Sequence, residues 1–301
     1  MASIELTIAK SASRRRWRDW LELTKPRVVA LMVFTALVGM LLASGEHPPL
    51  RVLLMGSVGI ALVAAAAAAI NHLVDRRIDA LMARTRARPL PRGALGWRQV
   101  ALFAAVLGLG GLAILWVFTN PLCTLLSFAS LIGYAGVYSL YLKHATPQNI
   151  VIGGAAGAAP PLLGWVAVTG SMDGGALVLF LIIFVWTPPH FWALAIHRRE
   201  DYARAGVPML PVTHGVPFTT HRILAYTLAL LPIGLLPLLI GLGGWPYGLV
   251  ATALGSRFAW MAWRLRQDET WAMPTFRFSI VHLFGLFAAL LADPYLRNLP
   301  G

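Results

Sequence analysis

The sequence predicts an all-α, polytopic membrane protein. Two properties of the composition carry that expectation: 58% of residues are hydrophobic and only 12% are charged, and the mean hydropathy is +0.69. A soluble domain carries about 25% charged residues, so a bilayer is the solvent this composition suits. The third observation is a recurrence of apolar stretches near the ~20 residues a span needs. Nine of them lie at roughly 28–44, 52–73, 100–118, 121–140, 150–170, 175–195, 222–242, 246–263 and 276–292. Thr119–Asn120 alone separates the third from the fourth, which predicts a tight turn between antiparallel helices.

The net charge of +13 is an orientation signal before it is a sign of nucleic acid. With a cytoplasmic N-terminus, every Lys and Arg except Arg51, Arg257 and Arg297 falls inside or at the inner boundary. The positive-inside rule then fixes the topology, with the site toward the cytoplasmic side of a bacterial plasma membrane. A mitochondrial inner membrane is the alternative for a Ser- and Arg-containing N-terminus, but Glu5 and Asp19 weigh against a presequence. Residues 1–21 are expected to be a disordered basic segment, 22–292 a single membrane domain and 293–301 a short tail. Cys123 stands alone, which excludes an intramolecular disulfide and leaves a packing role in the fourth span.

Two inner loops, 74–99 and 196–221, are too long and polar to be connectors, and loops on a rigid scaffold carry function disproportionately. They follow the second and sixth spans. That offset of four predicts two parallel four-helix halves plus a ninth helix, with a faint echo between Asn71-x3-Asp75 and His197-x3-Asp201.

Asn71, Asp75 and Asp79 are spaced i, i+4, i+8, which puts them on one face of a helix continuing out of the second span. Two carboxylates and an amide oxygen are hard donors suited to Mg²⁺. Pairing of the acids with Arg76 and Arg77 at a helix end is the other reading, and spacing alone does not separate the two. Arg84, Arg86, Arg88 and Arg92 follow closely, and guanidinium forks match phosphate oxygens; two of the four are expected to touch a diphosphate. Asp201 would face the first acids through the repeat, with Glu200 turned toward Arg198 or Arg204. Lys143 lies in the third inner loop and reaches either the same mouth or the headgroups. His190, in TPPHFW, is an ionisable ring inside a span beside Pro188 and Pro189, which should kink the helix. It would meet a polar substrate, a haem iron, or a carbonyl the prolines free. The run GGAAGAAPPLLG at 153–164 lies in a span, where small residues let helices approach or break around a cavity.

Several long motifs are similar to a known family. NHLVDRRIDALMARTRARPL resembles the first aspartate motif of the UbiA-type intramembrane prenyltransferases. YSLYLKHATPQNIVIGGAAGAAPPLLGW, WTPPHFWALAIHRREDYARAGVPMLPV and TFRFSIVHLFGLFAALL extend the likeness to the branch that farnesylates haem, over residues 22 to 292. The resemblance implies nine helices around a central cavity, Mg²⁺ as cofactor, and farnesyl diphosphate and haem b as substrates. It places Asn71, Asp75 and Asp79 in the first motif, Arg84 and Arg88 after it, and Asp201 at the start of the second. Four residues past Asp201, where many members carry another Asp, stands Ala205; one Mg²⁺ would then be shared, or Glu200 or water would complete its shell. The implied reaction ionises the allylic C–O bond with diphosphate departure, joins the farnesyl cation to a haem vinyl group and adds water, giving haem O. A downstream haem A synthase is the protein partner to look for. Two competing readings are a family member acting on another aromatic acceptor, and a transporter or haem-binding module without chemistry. The latter would place charge near the bilayer midplane, where only Arg257 stands.

Overall fold

The computed structural model describes residues 17–45, 47–83 and 85–297, apart from the side chains of His144 and Arg297. A short helix, α1 (residues 17–23), leads into α2 (Pro26–Ser44), α3 (Leu50–Leu81), α4 (Trp97–Phe118) and α5 (Pro121–Ile132). The last passes without a break into a π-helix, Gly133–Leu142. After a single turn, α6 (Lys143–Ala145), come α7 (Asn149–Thr169), α8 (Gly174–His197), the short α9 (Arg199–Arg204) and α10 (Leu210–Thr213), then α11 (Gly215–Leu239), α12 (Trp245–Gln267) and α13 (Ala272–Arg297). Eight of the described helices are long and apolar enough to cross a membrane. The remaining long one, α12, is diluted by Arg257, Arg264 and Arg266 and by its glycines and tryptophans.

The ends of these helices follow local chemistry. Asn120 caps α5 by accepting the Cys123 N–H at 2.9 Å, and its own amide donates to Val166 O at 2.7 Å, so the tight turn expected at Thr119–Asn120 is fastened to α7. Asp173 caps α8 by accepting from the N–H groups of Gly175 and Ala176. Cys123 is fully buried in the core, as expected. The α8 helix runs unbroken through Pro188 and Pro189.

In the packing, α2 lies along α7, and α3–α4 and α8–α11 are corresponding neighbours in the two halves. The ninth long helix, α13, closes the ring against α12, α8 and α2. Small residues make the α2–α7 contact a backbone contact. A Cβ built on Gly39 would lie 2.1 Å from Pro161 O, and one on Gly164 2.0 Å from Ala36 O. The glycine-rich run therefore serves close approach within one continuous helix.

Both expected domain boundaries shift. Residues 17–21 are helical, not disordered: Leu23 and Trp20 pack with Ala69, Leu95 and Val100, and Asp19 pairs with Arg92. Residues 1–16 lie outside the described residues. At the other end, α13 continues past residue 293 to Arg297. Asp293 is fully buried, and its carboxylate accepts the N–H groups of Gly244 (2.8 Å) and Tyr247 (3.0 Å), capping α12 from a neighbouring helix.

Candidate active site

The α3 helix has 32 residues, about 48 Å at 1.5 Å per residue, against a hydrocarbon core of about 30 Å. Its last turns therefore extend beyond the apolar span and carry Asn71, Asp75 and Asp79 on one face. All three are buried, Asp75 to 3% exposure. The Asn71 amide donates to Asp75 Oδ2 (2.9 Å) and to Ser139 Oγ (3.1 Å). Ser139 sits in the π-helix and in turn donates to Tyr134 O; such stretches recur at functional sites.

The acids do not pair with Arg76 and Arg77, which lie on the exposed face of α3. Their partners come from distant segments. Lys143 Nζ lies 2.6 Å from Asp75 Oδ2, and Arg88 Nη1 lies 2.7 Å from Asp79 Oδ2. Thr85 fixes the Arg88 loop by donating to Asp79 O at 2.9 Å. Lys25 Nζ donates to Asn71 Oδ1 at 2.6 Å. Its ammonium is lowered to about 8, first by burial and then by the neighbouring Arg88 charge. Of the other arginines, Arg92 goes to Asp19, Arg86 is exposed, and Arg84 lies outside the described residues.

One atom in this cluster lacks a partner. Asp75 Oδ1 is buried with no hydrogen bond, a costly state for an anionic oxygen. A hard divalent cation fits that oxygen, with Asn71 and Asp79 beside it on the same face.

Asp201 is not brought into this row. It sits on α9 with Arg204 at 2.7 Å and Arg198 at 3.8 Å, three residues either way, so the arginines expected to hold Glu200 hold Asp201 instead. Among the described residues, no group of three His, Cys, Asp or Glu side chains is placed to hold a metal.

His190 is buried among aromatic rings, with Trp186 at 4.2 Å and Phe276 at 4.7 Å between centroids. Its Nδ1 lies 2.6 Å from Ser279 Oγ, and that hydroxyl donates to Phe276 O. The hydroxyl proton being committed, Nδ1 carries the imidazole hydrogen and Nε2 keeps a lone pair. The prolines' freed carbonyls are not its partner.

Sequence reasoning missed Lys25, Ser139, Thr85 and His72. His72 follows Asn71 and is buried, with neither ring nitrogen hydrogen-bonded. A signal existed for Ser139, which stands four residues before Lys143. Nothing local marked Lys25.

Fold and site define an integral membrane protein with a buried ionic centre at one end of its bundle. The sequence profile of the UbiA prenyltransferase family matches residues 32–289, and the chain belongs to that family. It is 62% identical over 286 residues to a protoheme IX farnesyltransferase from Alkalilimnicola ehrlichii, with 94% of each chain covered. A protoheme IX farnesyltransferase from Shewanella oneidensis is 60% identical over 282 residues, covering 93% of this chain and 94% of the relative. The fold is shared with a digeranylgeranylglyceryl phosphate synthase (TM-score 0.77, 19% identity, 93% of this chain and 98% of that one). It is also shared with a UbiA homolog from Archaeoglobus fulgidus bound to DMAPP and Mg²⁺ (TM-score 0.63, 18% identity, 91% and 99%).

Proposed function

We propose that this enzyme transfers the farnesyl group of farnesyl diphosphate to a vinyl group of haem b, with addition of water, giving haem O and diphosphate. The observation that carries the chemistry is the buried row of Asn71, Asp75 and Asp79 set against Lys143 and Arg88, with Asp75 Oδ1 unpartnered. The acceptor and prenyl length rest on the relatives' names, at 62% and 60% identity.

Asn71, Asp75 and Asp79 would hold Mg²⁺, which when bound neutralises charge on the diphosphate oxygens. Lys143 and Arg88, with Arg84, bind the diphosphate and stabilise the negative charge that develops as the allylic C–O bond breaks; such stabilisation is usually the largest catalytic contribution. The apolar bundle keeps bulk water from the farnesyl cation. The cation forms a C–C bond with the vinyl carbon, water supplies the hydroxyl to the neighbouring carbon, and one proton is released. His190 would meet the haem through Nε2, its ring fixed by Ser279. Asp201 would be a further ligand of the metal once its arginines are drawn to the substrate.

The basic distribution supports a cytoplasmic N-terminus and a cytoplasm-facing Asp75 end in a bacterial plasma membrane. Cysteines placed at Arg86 and Ser171 in a Cys123→Ala background report it: labelling of residue 86 in intact cells by an impermeant maleimide contradicts this orientation. For the reaction, purified enzyme is incubated with haem b, farnesyl diphosphate and Mg²⁺, and the pigments are separated by chromatography with mass detection. A more apolar haem carrying farnesyl plus water is expected. Its absence from enzyme that binds both substrates overturns the proposal.

A further inference from the structure

Arg257, the charged residue that the sequence places well inside a span, has no part in the acidic row. It lies ten residues before the inner end of α12 at Gln267, about 15 Å at 1.5 Å per residue, near the middle of a hydrocarbon core of about 30 Å. It stands on the exposed face of the helix with Trp260 and Trp263, which are 39% and 44% exposed. A cation at that depth is costly, and such positions mark functional sites by default.

Its surroundings are aromatic and cationic. Arg257 Cζ lies 4.2 Å from the centre of the Trp260 ring, and Arg264 Cζ lies 5.9 Å from the same ring and 5.1 Å from that of Trp271. The two guanidinia thus converge on one indole, within about 10 Å of each other. Trp271 meets Trp260 at 5.2 Å with the ring planes at 90°. Cation–π attraction accounts for part of this arrangement, but it leaves two like charges uncompensated. Among the described residues neither arginine forms an ion pair, and Arg264 Nε is buried without a hydrogen-bond partner. Asp268 feels the Arg264 charge, yet its two oxygens accept from the N–H and the hydroxyl of Thr270.

Two unpaired guanidinia around an indole corner suit a flat apolar body that carries two carboxylates close together. A second copy of this chain, packed face to face, would set arginine against arginine. A phospholipid offers one phosphate at headgroup depth, which leaves Arg257 beneath it. Haem b has two propionates on one edge, matched to guanidinium forks, and a planar macrocycle that stacks on indole. The surface also adjoins the interior haem position. Trp271 directly precedes α13, whose Phe276 and Ser279 hold His190, and α13 packs against both α12 and α8. We propose that the lipid-facing surface formed by Arg257, Trp260, Arg264 and Trp271 docks the haem substrate through its propionates, on its way from the bilayer to His190. The inference rests on the haem reading given above and adds a second, peripheral haem site to it.

The test uses Arg257→Gln, Arg264→Gln and Arg257→Lys in the full-length protein, reconstituted in phosphatidylglycerol-containing bilayers, with thermal unfolding measured in parallel. The probes are haem b and its dimethyl ester, in which both propionates are neutral. Each glutamine variant is expected to raise the KM for haem b roughly tenfold, the worth of one charge-assisted hydrogen bond. The kcat at saturating haem and the KM for farnesyl diphosphate should hold, and Arg257→Lys should recover part of the loss. Removing an unpaired cation from a lipid-facing position should leave the unfolding temperature unchanged or raised. With the diester, wild type should already show the higher KM and the glutamine variants should add little, the non-additivity that marks a direct contact. An unchanged KM for haem b in both glutamine variants would overturn the inference, as would an equal loss for haem b and its diester. Lost retention of phosphatidylglycerol with the haem KM intact would make the surface a lipid anchor and overturn it too. Failure of the wild-type protein to bind haem b would instead overturn the haem reading itself.

Discussion

Replacing Asp75 by Asn tests the site most directly, because the shape is kept and only the charge is removed. Asp75 Oδ2 accepts from Asn71 and is paired with Lys143, while Oδ1 is buried and unpartnered. The variant removes the anion from both relationships. Without its carboxylate, Lys143, whose side chain is only 17% exposed, becomes a poorly solvated cation, and breaking such a pair costs about 3–5 kcal/mol when it is buried. Some loss of stability is therefore expected whether Asp75 is structural or catalytic. The double variant Asp75→Asn with Lys143→Met, compared with Lys143→Met alone, separates the two roles. It removes the stranded charge, so the thermal midpoint should return most of the way to wild type. If Asp75 holds a metal that assists ionisation, turnover of the double variant stays at least 100-fold below that of Lys143→Met alone, about 2.7 kcal/mol of transition-state stabilisation at 1.36 kcal/mol per tenfold. The assay is formation of farnesylated haem at saturating Mg²⁺, with unfolding followed in the same detergent. Restored folding together with restored turnover would refute the metal role and leave Asp75 as one half of an ion pair.

Three other outcomes follow from the same geometry. Chelation of divalent cations is expected to abolish turnover reversibly and to weaken pyrophosphate binding, read by titration before and after Mg²⁺ is returned. Gly164→Ala would press a methyl group onto the Ala36 carbonyl, 2.0 Å from the ideal Cβ position, and should destabilise by about 1–3 kcal/mol in thermal unfolding. Asp293→Ala leaves the buried N–H of Tyr247 and the half-buried N–H of Gly244 without their acceptor; a loss of about 2–4 kcal/mol is expected, at roughly 1–3 kcal/mol for the buried donor and less for the half-buried one, with Asp293→Asn losing less.

The parts of the molecule legible in its sequence are those set by short-range physics. Hydropathy located the long helices, and the i, i+4, i+8 spacing of Asn71, Asp75 and Asp79 required only that α3 outlast its apolar stretch, which it does through Leu81. The misreadings concern partners chosen across the fold. Asp293 and Pro294 read as the start of a tail because a charge beside a proline normally ends a span; the buried cap it provides for α12 lies 46 to 49 residues away. Lys25 is 46 residues from Asn71, and in sequence it is one more basic residue before a span. For Asp201 the partners are local: Arg198 and Arg204, expected to hold Glu200, pair with Asp201 from three residues away on its own short helix.

The division of labour in the site has a physical rationale. The acidic groups stand on one continuous helix, whose rigid rise fixes their spacing, and metal coordination demands fixed spacing. The cations come from three separate connections: Lys25 from the turn before α2, Arg88 from the loop that Thr85 pins to Asp79, and Lys143 from the short turn after the π-helix. Without a ligand Arg88 and Lys143 fold onto the acids, which lowers the cost of burying both signs of charge. A diphosphate offers them more negative oxygens, so they can exchange partners by side-chain rotation while the acidic row stays in place. On the proposed reading, that exchange would free acid oxygens as the substrate's own charge needs a counter-ion. Metal affinity and diphosphate affinity should then rise together, each ligand tightening the other by the same factor, whereas a site whose ion pairs are purely structural would bind the two independently.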